Sequence, residues 1–262
     1  MKTVTSGGAV LHVQVDGPEA GPVVMFANSL GTDLRVWDPL LPHLPQGLRI
    51  VRFDKRGHGL SDCPPAPYDM NTLVEDAEVV ADALGVSQIA FVGLSIGGLI
   101  GQGLAARRPD LIKALVLMDT AAKIGTPEMW QTRIDGVRAD GLGGMADAIL
   151  DRWFAPEMRN DAAALAPWRN MLSRTPVEGY VGCCAAIAGA DFTASTADLA
   201  VPVMAMAGSE DGSTPPDLVR ATADLCGAAF QVIDAAGHLP CVEKPAETAA
   251  LISAFLKETG HV

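Results

Sequence analysis

The chain is short of positive charge: 19 Lys and Arg stand against 31 Asp and Glu in 262 residues, a formal net charge of -12. Such a field repels phosphate, which argues against nucleic acid or an anionic membrane surface as partners and requires local cations for any acidic ligand. No apolar run is long enough to span a bilayer. Met1 to Val10 contains one Lys and no apolar stretch, so it does not read as a secretory signal. The five cysteines, Cys63, Cys183, Cys184, Cys226 and Cys241, are odd in number and form no C-x-x-C pair. Neither a disulfide framework nor a zinc site fits that pattern, and reduced thiols in a cytoplasmic protein are expected. Internal repeats and low-complexity segments are also absent.

What is present is a supply of core: 49% of the residues are hydrophobic. The length suits one compact core with one insertion. Ala9 to Val15 alternates apolar and polar residues, as a half-exposed strand does. Val23–Ala27, Leu48–Phe53, Ile89–Val92, Ala114–Met118, Val203–Ala207 and Phe230–Ile233 are instead continuous short apolar runs, expected of strands covered on both faces. Thr72–Leu84 and Ile96–Arg107 carry helical spacing. Strand alternating with helix predicts an α/β fold with a mostly parallel central sheet flanked by helices. The alternation stops between residues 121 and 196, where only helical patterns occur. Residues 1–120 and 197–262 are therefore expected to form the core and 121–196 an inserted helical cap. The Pro-rich stretch Cys63–Pro67 reads as a surface loop.

Gly93-Leu94-Ser95-Ile96-Gly97 follows a buried strand and opens a helix. A G-x-S-x-G in that context is a nucleophile elbow: the serine sits on a turn too sharp for flanking side chains, and the helix start offers free N–H groups to developing negative charge. Ser95 is the expected nucleophile. A base and an acid should follow in chain order. His12, His43 and His261 read as surface or structural residues, and His58, in Arg56-Gly57-His58-Gly59, as part of a loop. His238 stands just past the last strand, where catalytic groups collect in open parallel sheets, and is the expected base. Asp211, at a G-x-x-D spacing after the strand Val203–Ala207, is the expected acid, with Glu210 as its solvated neighbour. The oxyanion donors should be main-chain N–H groups of Ile96 and, in Asn28-Ser29-Leu30-Gly31, of Leu30. In the cap, Arg138, Arg152 and Trp153 are available. Trp130 and Arg133, three apart and so on one helix face, are the favoured apolar wall and anion clamp.

The chain resembles the 3-oxoadipate enol-lactonases, α/β-hydrolases of bacterial aromatic catabolism, over nearly its full length. The resemblance rests on Phe26-Ala27-Asn28-Ser29-Leu30-Gly31-Thr32-Asp33 with Trp37-Asp38, and on Phe53-Asp54-Lys55-Arg56-Gly57-His58-Gly59-Leu60-Ser61-Asp62. It continues in the elbow, in Asp119-Thr120-Ala121-Ala122-Lys123-Ile124, in Gly208-Ser209-Glu210-Asp211, and in Gly237-His238 with Glu243-Lys244-Pro245. Many relatives carry His-Gly at Asn28-Ser29, and Met is frequent where Ile96 stands. The resemblance implies the α/β-hydrolase fold, opening of a small anionic lactone through an acyl-enzyme, and no metal or organic cofactor. Another small-ester hydrolase or perhydrolase-type enzyme, or a small-molecule receptor, would use the same scaffold. A haloalkane dehalogenase would carry Asp at the position of Ser95.

Overall fold

The computed structural model describes residues 1–262. Strands β1 (Lys2–Ser6), β2 (Ala9–Asp16) and β3 (Val23–Ala27) come first, then β4 (Arg49–Phe53). Helix α1 (Met70–Ala83), β5 (Ile89–Leu94), α2 (Ile96–Arg107) and β6 (Ile112–Met118) follow. Five helices intervene before the next strand: α3 (Pro127–Trp153), α4 (Pro156–Arg159), α5 (Ala162–Ser173), α6 (Val177–Ala188) and α7 (Thr193–Ala197). The chain closes with β7 (Val203–Gly208), α8 (Pro216–Cys226), β8 (Ala229–Ile233), α9 (Pro240–Glu243) and α10 (Pro245–Glu258).

The strands form one eight-stranded sheet in the order β1-β2-β4-β3-β5-β6-β7-β8. β2 runs antiparallel to both β1 and β4, and all pairs from β4 to β8 are parallel. Every residue of β3, β5 and β7 is buried, because helices cover both sheet faces. That is why these strands read as unbroken apolar runs. β8 departs from that expectation: as an edge strand it exposes Ala229, Gln231 and Val232 and buries Ile233. β1 has no counterpart in the apolar pattern, since Lys-Thr-Val-Thr-Ser carries little apolar signal. It is held by a hairpin, with Ser6 facing Ala9 across Gly7-Gly8.

Helix α1 begins two residues earlier than its apolar pattern suggests, because the Asp69 carboxylate caps it by accepting the Thr72 N–H at 2.8 Å. α3 is broken at Gly141, whose φ of 68° and ψ of 168° lie outside the helical region. The two halves fold toward each other there; a Cβ on Gly136 would stand 3.2 Å from the Met145 sulfur. No helix is long and apolar enough to cross a membrane. All five cysteines are free, with Cys183, Cys184 and Cys241 buried.

Candidate active site

Three strands of the parallel sheet, β5, β7 and β8, lead at their carboxyl ends to one site. β5 ends in Ser95, whose φ of 58° and ψ of -118° are strained for a residue with a Cβ. The turn is held by main chain and by its neighbours. The Ser95 N–H donates to the Met118 carbonyl at 2.9 Å, and the Thr120 hydroxyl donates to the Ser95 carbonyl at 2.6 Å. A Cβ on Gly93 would lie 2.3 Å from the Gly97 carbonyl oxygen, and one on Gly97 would lie 2.0 Å from that of Ala27. Only glycine fits either position, which is the physical content of the motif.

Asp211 follows β7 and His238 follows β8. The His238 Nδ1–H donates to Asp211 Oδ2 at 2.9 Å. The same oxygen accepts the Thr214 hydroxyl at 2.7 Å, and Oδ1 accepts the N–H groups of Ser213 and Thr214 at 2.7 and 3.1 Å. Burial alone would raise this carboxyl's pKa; His238 and the converging donors outweigh it and hold the pKa below the ordinary range, so Asp211 keeps its charge. Glu210 takes no part in this network. A second carboxyl stands behind Asp211. Ligand atoms of Asp119, Asp211 and His238 all lie within 4.8 Å of one another. Asp119 accepts the Gly208 N–H at 2.9 Å, and its Oδ2 has no partner. Burial, then the charge of Asp211, pushes the Asp119 pKa well above the carboxylate range, which favours its neutral form.

The cavity measures about 500 Å³ and is lined by Ser29, Leu30, Ser95 and His238 from the core. Trp130, Arg133, Ile149, Arg152, Trp153 and Tyr180 line it from the helical insertion. Both insertion residues favoured from sequence, Trp130 and Arg133, thus face it. Trp130 is steadied by its indole N–H, which donates to the Ile124 carbonyl at 2.7 Å. Arg133 reaches the Tyr180 hydroxyl at 3.5 Å. Arg138 is exposed and lies off the cavity. Arg152 is a lining residue that no helical spacing could have singled out. On a straight helix it would stand ~28 Å from Arg133; the break at Gly141 brings both to the same cavity. Neither guanidinium has a carboxylate partner. Burial, and then the charge of Arg133, lowers the Arg152 pKa.

Leu30 lines the cavity and its N–H makes no internal hydrogen bond. Ile96 heads α2, where first-turn N–H groups lack helical acceptors. The Ser95 hydroxyl is not bonded to His238; Nε2 meets the Ser29 hydroxyl at 3.4 Å. The sequence marks the loop that carries Ser29 but not Ser29 itself. The end of α3 is stitched to the loops beside it. The Trp153 carbonyl accepts the His238 N–H at 2.7 Å, and the Arg152 carbonyl accepts the Gly212 N–H at 3.2 Å. Glu243 bridges the same two parts, accepting the N–H groups of Ala155 at 2.8 Å and Gly237 at 2.7 Å.

Of the histidines outside the cavity, His43 is exposed and the other three are structural. His12 is buried, with Nδ1 2.8 Å from Asp54. His58 is fully buried and its Nε2 accepts the Gly31 N–H at 3.0 Å, so it braces the loop that carries Leu30. His261 Nε2 donates to the Val23 carbonyl at 2.8 Å.

A hydroxyl on a strained elbow, with an imidazole–carboxylate pair opening on the same cavity, is the equipment of a hydrolase enzyme. Residues 22–245 match the α/β-hydrolase fold family, and the chain belongs to that family. Among curated proteins it is similar to 3-oxoadipate enol-lactonase 1 of Acinetobacter baylyi, 35% identical over 95% of this chain and 94% of that one. It is also similar to 3-oxoadipate enol-lactonase 2 of the same organism, at 32% over 97% and 96%. Among solved structures it is similar to the enol-lactonase from Burkholderia xenovorans, at 35% identity with a TM-score of 0.94, covering 98% of this chain and 100% of that one.

Proposed function

We propose that the protein hydrolyses a small enol-lactone bearing a carboxylate, of the 3-oxoadipate enol-lactone type, to the open keto acid. Ser95, His238 and Asp211 form the catalytic triad beneath a cap made by residues 121–196. His238 Nε2 takes the Ser95 proton as Oγ attacks the lactone carbonyl. The oxyanion accepts N–H groups of Leu30 and Ile96. Asp211 holds the imidazole tautomer and stabilises the imidazolium. The ring C–O bond then breaks, and the leaving enol becomes the ketone. His238 next activates water, which releases the acid from Ser95. No step calls for a metal or organic cofactor.

The observation that carries the substrate class is the pair of guanidiniums without a carboxylate partner, Arg133 and Arg152, lining the same cavity as Ser95 in a chain of net charge -12. Two like charges brought together without a counter-ion are a cost unless an anion neutralises them. A carboxylate on the substrate does so, and the names of the relatives agree with it. The free thiols fit a reducing, cytoplasmic setting.

The test is steady-state hydrolysis of 3-oxoadipate enol-lactone beside p-nitrophenyl acetate. A kcat/KM above about 10⁴ M⁻¹s⁻¹ on the lactone, with the neutral ester weak, supports the reading. Activity on the neutral ester alone keeps the triad and removes the substrate. Ser95→Ala should lower kcat by about 10⁵-fold or more with the fold intact; near-normal turnover in that variant would remove the triad.

A further inference from the structure

Ser29 carries a hydroxyl that the triad leaves unused. It is 1% exposed, lines the cavity, and stands 3.4 Å from His238 Nε2 across 209 residues of chain. Because Asp211 accepts the Nδ1–H, Nε2 of the neutral ring is the lone-pair end and the Ser29 O–H points at it. The main chain of Ser29 is pinned. Its carbonyl accepts the Lys55 ammonium at 2.6 Å, the Thr32 hydroxyl at 2.9 Å and the Thr32 N–H at 3.2 Å. Two residues on, the Gly31 N–H is held by His58 at 3.0 Å. Burial, then the charge of Lys55, keeps the His58 pKa well below its ordinary value, so its ring remains neutral and able to accept.

We propose that Ser29 is a further catalytic residue, which relays the proton from His238 Nε2 to the oxygen that leaves the acyl carbon. The inference rests on the lactone reading above, and a ring supplies its reason. When a lactone opens, the leaving oxygen stays tethered to the acyl group, so reclosure competes at high effective concentration. Protonation ends that competition by removing the oxygen's nucleophilicity. The bond between acyl carbon and ring oxygen breaks with its electron pair going to the oxygen. The proton taken from Ser95 passes from Nε2 to Ser29 Oγ as the Ser29 hydroxyl proton passes to the ring oxygen. His238 ends neutral, Ser29 regains its hydroxyl, and the product is the free enol. An acyclic ester with a leaving group as stable as p-nitrophenolate has no such need, because that anion diffuses away.

The experiment compares wild type and Ser29→Ala on 3-oxoadipate enol-lactone and on p-nitrophenyl acetate, each normalised to the Ser95 sites titrated by a fluorophosphonate. The variant should titrate fully. Its kcat/KM on the lactone should fall by roughly 10²-fold, and by at least about ten times more than on the ester. Equal losses on the two substrates, or a lactone loss below about threefold, overturn the relay. A wild-type enzyme that cleaves the ester and leaves the lactone intact refutes the lactone reading itself, and this role of Ser29 with it.

Discussion

Replacing Gly97 by alanine strikes the site through main chain alone. The added methyl would fall 2.0 Å from the Ala27 carbonyl oxygen, 2.6 Å from its carbon and 3.1 Å from its Cβ. Ordinary contact begins near 3.4 Å, so α2 and the end of β3 must part by about 1.4 Å. Neither can yield by rotating a side chain. Ala27 leads directly into Asn28-Ser29-Leu30, and Ile96 directly precedes Gly97, so the strain separates the two proposed oxyanion donors. Losing one such donor costs about 10²–10³ in kcat, and a displacement of about 1 Å costs about 10²-fold. Overpacking of this kind destabilises by about 1–3 kcal/mol, or about 3–10 °C in Tm for a chain of this size. Gly143→Ala is the control, because that position is exposed and helical with nothing within 4 Å. It should leave kcat alone and raise stability by about 0.4–1 kcal/mol. Calorimetry and p-nitrophenyl acetate turnover read both effects. If Gly97→Ala keeps kcat within about threefold of wild type, the donors do not depend on that packing and the oxyanion assignment fails.

Arg152→Ala should raise KM for the anionic lactone by about tenfold or more, the worth of one charge-assisted hydrogen bond, and change p-nitrophenyl acetate hydrolysis far less; equal effects on both substrates would remove the anion clamp. Asp119 is protonated when folded and ionised when unfolded over the range above the ordinary aspartate value of 3.8, so this group makes stability fall as pH rises through that range. Asp119→Asn should therefore gain more Tm relative to wild type at pH ~8 than at pH ~4, and a pH-independent difference counts against a neutral Asp119. His58 has the opposite sign: folded it binds fewer protons than unfolded below the ordinary histidine value of 6.5, so its contribution is lost as pH falls through that range. His58→Gln, which keeps an acceptor for Gly31, should flatten the acid side of the stability profile measured by denaturant titration.

Much of this protein is written in local pattern. Buried parallel strands need unbroken apolar runs, so β3, β5, β6 and β7 are legible. An elbow needs glycine on both sides of its serine, so Ser95 is marked as well. The sheet order then brings the loops after β5, β7 and β8 to one cavity, which is why Asp211 and His238 are readable from their positions after strands. β1 escapes such a reading because its pairing partner, rather than its own composition, makes it a strand. The exposure of β8 escapes it because edge and interior positions are settled by neighbours.

The finer site lies beyond any local signal. Arg152 joins Arg133 only because α3 breaks at Gly141, and one glycine in a helical pattern does not announce a change of direction. Ser29 meets His238 across nearly the whole chain, and Glu243 ties the end of α3 to the His238 loop through two main-chain N–H groups. The Asp119 pKa is raised because the carboxyl is buried in a dry space beside Asp211. The sequence by itself determined which segments are strands and helices and where a serine nucleophile can stand, because those depend on periodicity and on steric room within a few residues. Only the tertiary structure decided which charges and hydroxyls face the reacting atoms and which proton each holds, because both depend on distance and desolvation between groups far apart in the chain.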